Sequence, residues 1–201
     1  MRLMKYIKED VGDFISIQEF LEKDCSEILD FYFDLARKAP GDWNLMFRSV
    51  KHSVSDIKMF TPRTDRKPLD MDPKFHEVFD KLFYKKFGWK ARSEGTFASF
   101  FVPAHEYGTP YFFFPFDGYK FLYNPKITDL WVKIPLAYNE EDTDEELERR
   151  FKKFVDGYKD DDLFEAWRTG CEIMFKCRHY YLVNTRWSRE LKEFIYEKSR
   201  R

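Results

Sequence analysis

Three polar residues interrupt apolar, strand-like runs. Arg48 follows Leu45-Met46-Phe47 and precedes Val50, and Ser99 lies inside Thr96-Phe97-Ala98-Ser99-Phe100-Phe101, close behind Arg92-Ser93. Glu172 opens the run Ile173-Met174-Phe175. A charge in so apolar a strand must reach water, a partner or a ligand, because an isolated buried charge costs several kcal/mol even after relaxation. Each taken singly also reads as an edge position facing solvent, or as half of an Arg–Glu pair. The three together are more informative than any one. Other chemistries have less support. His52, His76, His105 and His179 are scattered, with no HxxxH or CxxC spacing, so no metal site is expected. Cys171 and Cys177 stand six apart on one expected strand, on the same face but distant. There is no glycine-rich phosphate turn, no P-loop and no G-x-S-x-G elbow. Cys25 lies on the apolar side of an expected helix and reads as a small core residue.

The elements that must position these groups are partly legible. Ile17, Phe20, Leu21, Ile28, Leu29, Tyr32, Leu35 and Ala36 recur at helical spacing, which predicts one helix from Ser16 to Arg37 opened by a Ser16/Glu19 capping box. Residues 44–50 form a short strand candidate, and Thr61 to Pro68 a basic surface loop whose Arg63, Arg66 and Lys67 are expected to be solvated. Asp72-Pro73 starts a second helix and Gly88 ends it. Strands are expected at 96–102, at 111–116 and at 119–124, the last two joined by an Asp117-Gly118 hairpin turn. Thr143 with Glu146 predicts a capping box for a helix carrying Leu147, Phe151, Phe154 and Val155. A short helix near 161–168, strands at 171–177 and 180–184, and a helix from Ser188 complete the order. Helices flanking five or six mostly antiparallel strands make an α+β domain.

Composition bounds the function. The 201 residues are 43% hydrophobic and 35% charged, with 23 Phe, 12 Tyr and 5 Trp, which excludes a disordered chain. No run of about 18 uncharged apolar residues is present, so no membrane span is expected. Lys and Arg number 35 against 36 Asp and Glu, which supplies no basic bias toward nucleic acid or anionic lipid. Three cysteines do not read as a secreted disulfide framework, and the first residues lack the apolar core of a signal peptide. The expectation is one domain of 1–201 in a reducing cytoplasm. Its parts are an N-terminal helical extension (1–43), a core (44–184) and a C-terminal helix (185–201). The aromatic load either fills that core or in part faces another subunit, as in a homo-oligomer.

The order of the polar residues resembles the ADP-ribosyltransferase fold: an Arg on a first short strand, a Ser/Thr-bearing strand, and a Glu opening a late strand. Trp89-Lys-Ala-Arg-Ser-Glu-Gly-Thr-Phe-Ala-Ser99, Ala104-His-Glu-Tyr-Gly108 and Tyr111-Phe-Phe-Phe-Pro115 are similar to a pattern in phage proteins related to that fold. The likeness runs from about Leu45 to Val183. It implies transfer of ADP-ribose from NAD to a macromolecular acceptor, in a host cytoplasm or a virion-associated setting. Arg48 would hold a phosphate or ribose of NAD, with Arg92 and Ser93 as further cofactor-side landmarks. Ser99 would brace the nicotinamide pocket and the catalytic Glu, and Tyr107 would stack on nicotinamide, although an aromatic at a helix end packs into a core by default. Glu172 would be the catalytic residue, stabilising the charge that develops as nicotinamide leaves. The chain departs from the pattern at Ala98, at Ser49 where a Gly is usual, and at Gly170 where arginine-modifying members carry Glu or Gln, so no acceptor follows. The alternative on the same fold is a non-catalytic phage structural, virion or interaction protein.

Overall fold

The helical periodicity at the start of the chain is broken at one residue, Cys25. In the computed structural model, which describes residues 13–41, 43–51, 53–67, 72–102, 107–128, 130 and 142–201, α1 spans Phe14–Asp24 and α2 spans Ser26–Lys38. The single helix expected over 16–37 is therefore two, because Cys25 leaves the helical region at φ −134°. Its side chain is fully buried, and the thiol points at the Phe114 carbonyl, 3.7 Å away. Asp13, not Ser16, is the N-cap. Its carboxylate accepts the Ser16 N–H at 2.9 Å, which places Ser16 inside the helix and rules out the Ser16/Glu19 box.

The strands in chain order are β1 Phe47–Val50, β2 Ile57–Phe60, β3 Thr96–Ala98, β4 Thr109–Pro115, β5 Lys120–Tyr123, β6 Ile173–Lys176 and β7 Tyr180–Asn184. The later helices are α3 Pro73–Phe87, α4 Ala91–Glu94, α5 Asp144–Asp156, α6 Leu163–Thr169 and α7 Ser188–Ser199, the last preceded by a 3-10 turn at Thr185–Trp187. The chain divides into two compact units, one drawn from 1–60, 103–117 and 180–201, the other from 61–102 and 118–179. Each has its own antiparallel sheet with helices, so the α+β class holds. Among the described residues, no helix is long and apolar enough to cross a membrane.

The first unit is built on the sheet β1-β4-β7-β2. β4 is its centre, and Tyr111 to Phe114 are all buried, which is why this run shows no alternation of apolar and polar residues. Phe114 meets Tyr32 of α2 at 5.9 Å, while Phe113 points to the other face and meets Tyr180 at 5.1 Å. The Tyr181 hydroxyl donates to Asp24 at 2.9 Å, tying β7 to the end of α1, and burial with the Asp24 carboxylate pushes that phenol well above its usual range. α7 packs on α2 through Phe33 and Phe194, with Lys198 on Glu22 at 2.6 Å.

The second unit is built on the sheet β3-β6-β5 with α3 and α5. Phe79 stacks on Phe151 at 4.4 Å, Phe75 meets the same ring edge-on, and Trp89, Leu122, Leu147 and Met174 complete the core. The boundaries of α3 are the expected ones. Asp72 accepts the Lys74 N–H at 2.7 Å, Pro73 occupies the first turn, and Gly88 ends the helix at φ 77°. The Thr143/Glu146 capping box is formed, and Lys86 donates to the carbonyls of Val155, Asp156 and Tyr158 at the C-terminus of α5.

Three expectations are corrected. Asp117-Gly118 does not close a hairpin, because β4 has β1 and β7 on its two sides and β5 pairs with β6 in the other sheet. Asp117 instead caps α2, accepting the Ser26 hydroxyl at 2.6 Å and the Glu27 N–H at 2.9 Å. The strand expected over 96–102 stops at Ala98, and Phe101 and Val102 are exposed. β6 spans only Ile173–Lys176, so Cys171 and Cys177 flank it and do not share a strand.

Candidate functional site

The second unit gathers its polar groups around α4. The short α4 follows Gly88 and Trp89 and leaves its first amides without partners of their own. Asp80, on the α3 turn facing it, supplies the acceptor: its carboxylate takes the Arg92 N–H at 2.8 Å and the Ser93 N–H at 3.3 Å, and also the Ser93 hydroxyl. Asp80 is 4% exposed, so its charge is held by these donors and not by water. His76, one helical turn earlier, brings Nε2 to 3.0 Å from the Ser93 hydroxyl and 3.5 Å from Asp80. Burial pushes the His76 ring below its usual range. Asp80 opposes that shift, and Arg92 and Arg66 add to it.

Arg92 follows directly from this anchoring. With its backbone fixed on Asp80, its guanidinium lies 4.9 Å from the centroid of the Phe97 ring and Nη1 stands 3.9 Å from Oε1 of Glu172. Glu172 is placed by its own backbone, whose N–H donates to the Thr128 carbonyl at 3.2 Å immediately before β6 begins. Its side chain is 34% exposed against 14% for Arg92, so the carboxylate faces solvent and the guanidinium backs it. β3 and β6 pair as Thr96↔Phe175, Phe97↔Met174 and Ala98↔Ile173, and the pairing ends there, one residue before Ser99 on one strand and Glu172 on the other. The Ser99 hydroxyl donates to the Phe101 carbonyl at 2.7 Å, which turns the chain out of the strand.

Four of the residues singled out from sequence, Arg92, Ser93, Ser99 and Glu172, thus belong to the second unit, and Arg92 and Glu172 meet there. Arg48 and Tyr107 belong to the first. Arg48 projects from β1 with its guanidinium 5.7 Å from the Tyr180 ring centroid, on the face that carries Phe113. Tyr107 is an exposed ring just before Gly108. Gly108 has φ 111°, and a Cβ there would stand 2.5 Å from the Val50 carbonyl oxygen, so the close passage of this segment under β1 requires glycine. Residues 103–106, most of the expected short helix, lie outside the described residues, as does His52.

Gly170 has a structural reason for its identity. It closes α6 at φ 63°, and a Cβ there would fall 1.7 Å from the Phe101 ring. The acidic or amide side chain that the resemblance associates with arginine acceptors would need both this left-handed backbone and a displaced Phe101 ring, which is itself 64% exposed. Cys171 beside it is buried, and that burial pushes its thiol up, away from a nucleophilic thiolate. Among the described residues no group of His, Cys, Asp and Glu forms a metal site.

Sequence reading missed Asp80 and His76. Both sit directly after phenylalanines of the α3 stripe, Phe75-His76 and Phe79-Asp80, four residues apart. Polar residues flanking an apolar stripe at that spacing share one helix face, which was the available signal. No protein-family model, curated protein or solved structure matches this chain.

Proposed function

We propose that the chain cleaves NAD at Glu172 and transfers the ADP-ribosyl group to a macromolecular acceptor. The observation that carries this reading is the approach of Arg92 to Glu172 within one unit. As the bond between ribose C1′ and the nicotinamide nitrogen breaks, its electron pair leaves with nicotinamide and positive charge develops on the ribose. A fixed carboxylate beside that carbon stabilises the charge more than it stabilises the neutral ground state. The acceptor then forms the new bond to C1′ and loses its proton. Arg92 serves the substrate in this reading: its planar fork, beside Glu172, suits a phosphate oxygen of NAD.

The test is nicotinamide release from NAD, with and without host lysate as acceptor source, for the wild type and for Glu172→Gln. Release by the wild type and its loss in the variant are the expected results. Equal release in both, or no release together with no NAD binding by calorimetry in folded protein, removes the enzyme reading and leaves the non-catalytic one.

A further inference from the structure

We infer that a cleft in the same unit, between α3, the 65–67 loop and α4, binds a nucleoside phosphate. The inference goes beyond the reading of Glu172, since it needs only the chemistry of the cleft itself. The cleft has a volume of about 750 Å³, which suits a mononucleotide better than a single small ion. Its cationic groups are Arg66, Lys67, Lys81 and Lys90, its hydroxyl is Ser93, and its exposed ring is Tyr84.

The 65–67 loop reads from sequence as solvated charge, yet it is fastened. The Arg66 N–H donates to the Ser93 carbonyl at 3.2 Å, and the Arg66 guanidinium lies 4.1 Å from the centroid of the Phe97 ring. Arg92 occupies the same ring at 4.9 Å. Of the two guanidinium groups on this ring, Arg92 is backed by Glu172 at 3.9 Å, and Arg66 is the one that lines the cleft.

The charges on the wall sort by commitment. Asp80 is held by α4 amides, Asp65 faces Arg63 at 3.5 Å, and Lys81 is held by Glu148 at 2.6 Å. Among the described residues no ion pair holds Lys67 or Lys90, which leaves two exposed ammonium groups in the lining of the cleft, opposed by Glu77. Ammonium groups of this kind take phosphate as point charges. Tyr84 is 60% exposed on the same wall, where a base can lie against it.

The test is calorimetric titration of the full chain with ADP, AMP, inorganic pyrophosphate, adenosine and NAD, followed by the Lys67→Ala/Lys90→Ala double variant and by Arg66→Ala. The double variant changes only exposed lysines and is expected to fold, which a melting curve checks. The expected result is that ADP binds, adenosine does not, and ADP affinity falls at least about tenfold in the lysine variant and with added salt. The free-nucleotide and NAD arms show which source of the phosphate the cleft takes. Lysine-dependent ADP binding without any NAD cleavage leaves this site standing and removes the transferase reading. NAD cleavage with ADP binding indifferent to Lys67, Lys90 and Arg66 overturns this site alone. Absence of ADP and pyrophosphate binding at millimolar ligand overturns it outright.

Discussion

The Arg92 guanidinium stands 3.9 Å from the Glu172 carboxylate, although among the described residues three strands and two helices separate the two in the chain. The approach depends on Asp80, which anchors the backbone of Arg92, and on the Thr128 carbonyl, which anchors that of Glu172. Arg92→Lys keeps a charge but removes both the planar fork and the stacking on Phe97. We expect this variant to fold and to lower NAD turnover about tenfold, whereas Glu172→Gln lowers it about 100-fold or more. Steady-state nicotinamide release, read as kcat and KM separately, checks both. A fall in Arg92→Lys confined to thermal stability, with turnover intact, assigns Arg92 to packing alone.

A pH dependence follows from His76. In the unfolded chain its ring titrates near the ordinary value of 6.5, and in the fold burial holds it lower. Between those two values the unfolded chain carries a proton that the native chain does not, so stability rises with pH across that window. Stability is therefore full above 6.5 and is lost as the pH falls toward the native value, with a slope of up to one proton. Gln at position 76 places its terminal amide near where Nε2 meets Ser93 and removes the titration. Urea denaturation at a series of pH values is expected to show the slope in the wild type and its reduction in His76→Gln. An unchanged slope in the variant assigns the pH dependence to other groups.

Local chemistry made part of this fold readable in advance. Asp72, Pro73 and Gly88 mark α3, and Thr143 with Glu146 marks α5, because caps are satisfied within a few residues of chain. Strand partners are chosen by distant residues, and there the sequence is silent. Nothing in Tyr111 to Asn124 says that β4 and β5, only four residues apart, belong to different sheets. The same holds for β6 and β7. Arg48, Ser99 and Glu172 were visible as polar breaks in apolar runs and Arg92 only through the resemblance, while Asp80 and His76 were hidden because their partners on α4 lie more than ten residues away in the chain.

Gly108 and Gly118 separate two kinds of glycine requirement. Both have positive φ, 111° and 76°. At Gly118 a Cβ meets nothing within 4 Å, so Gly118→Ala is expected to cost only the conformational strain of about 1 kcal/mol. At Gly108 the added carbon meets the Val50 backbone at 2.5 Å, which no side-chain rotation relieves. Gly108→Ala is expected to cost about 3 kcal/mol or more, with displacement of β1 from β4. Guanidinium denaturation of the two variants checks the difference, and equal costs show that the close passage under β1 yields easily.

Asp117 decides between a turn residue and a cap. As the first residue of a hairpin turn, Asp117 tolerates Asn well and Ala with little loss. As the cap of α2 it accepts two donors, Ser26 Oγ and the Glu27 N–H, and its own N–H is bonded to the Asp24 carbonyl. Ala keeps the backbone bond but removes both side-chain bonds, and the Glu27 amide loses its acceptor. We expect Asp117→Ala to cost about 1–2 kcal/mol and Asp117→Asn less than half of that. Amide exchange by NMR locates the effect: the Glu27 amide and the first turn of α2 speed up in Asp117→Ala, while the amides of β5 are unchanged. Faster exchange along β4 and β5 together, with Glu27 unaffected, would restore the hairpin and count against the two separate sheets.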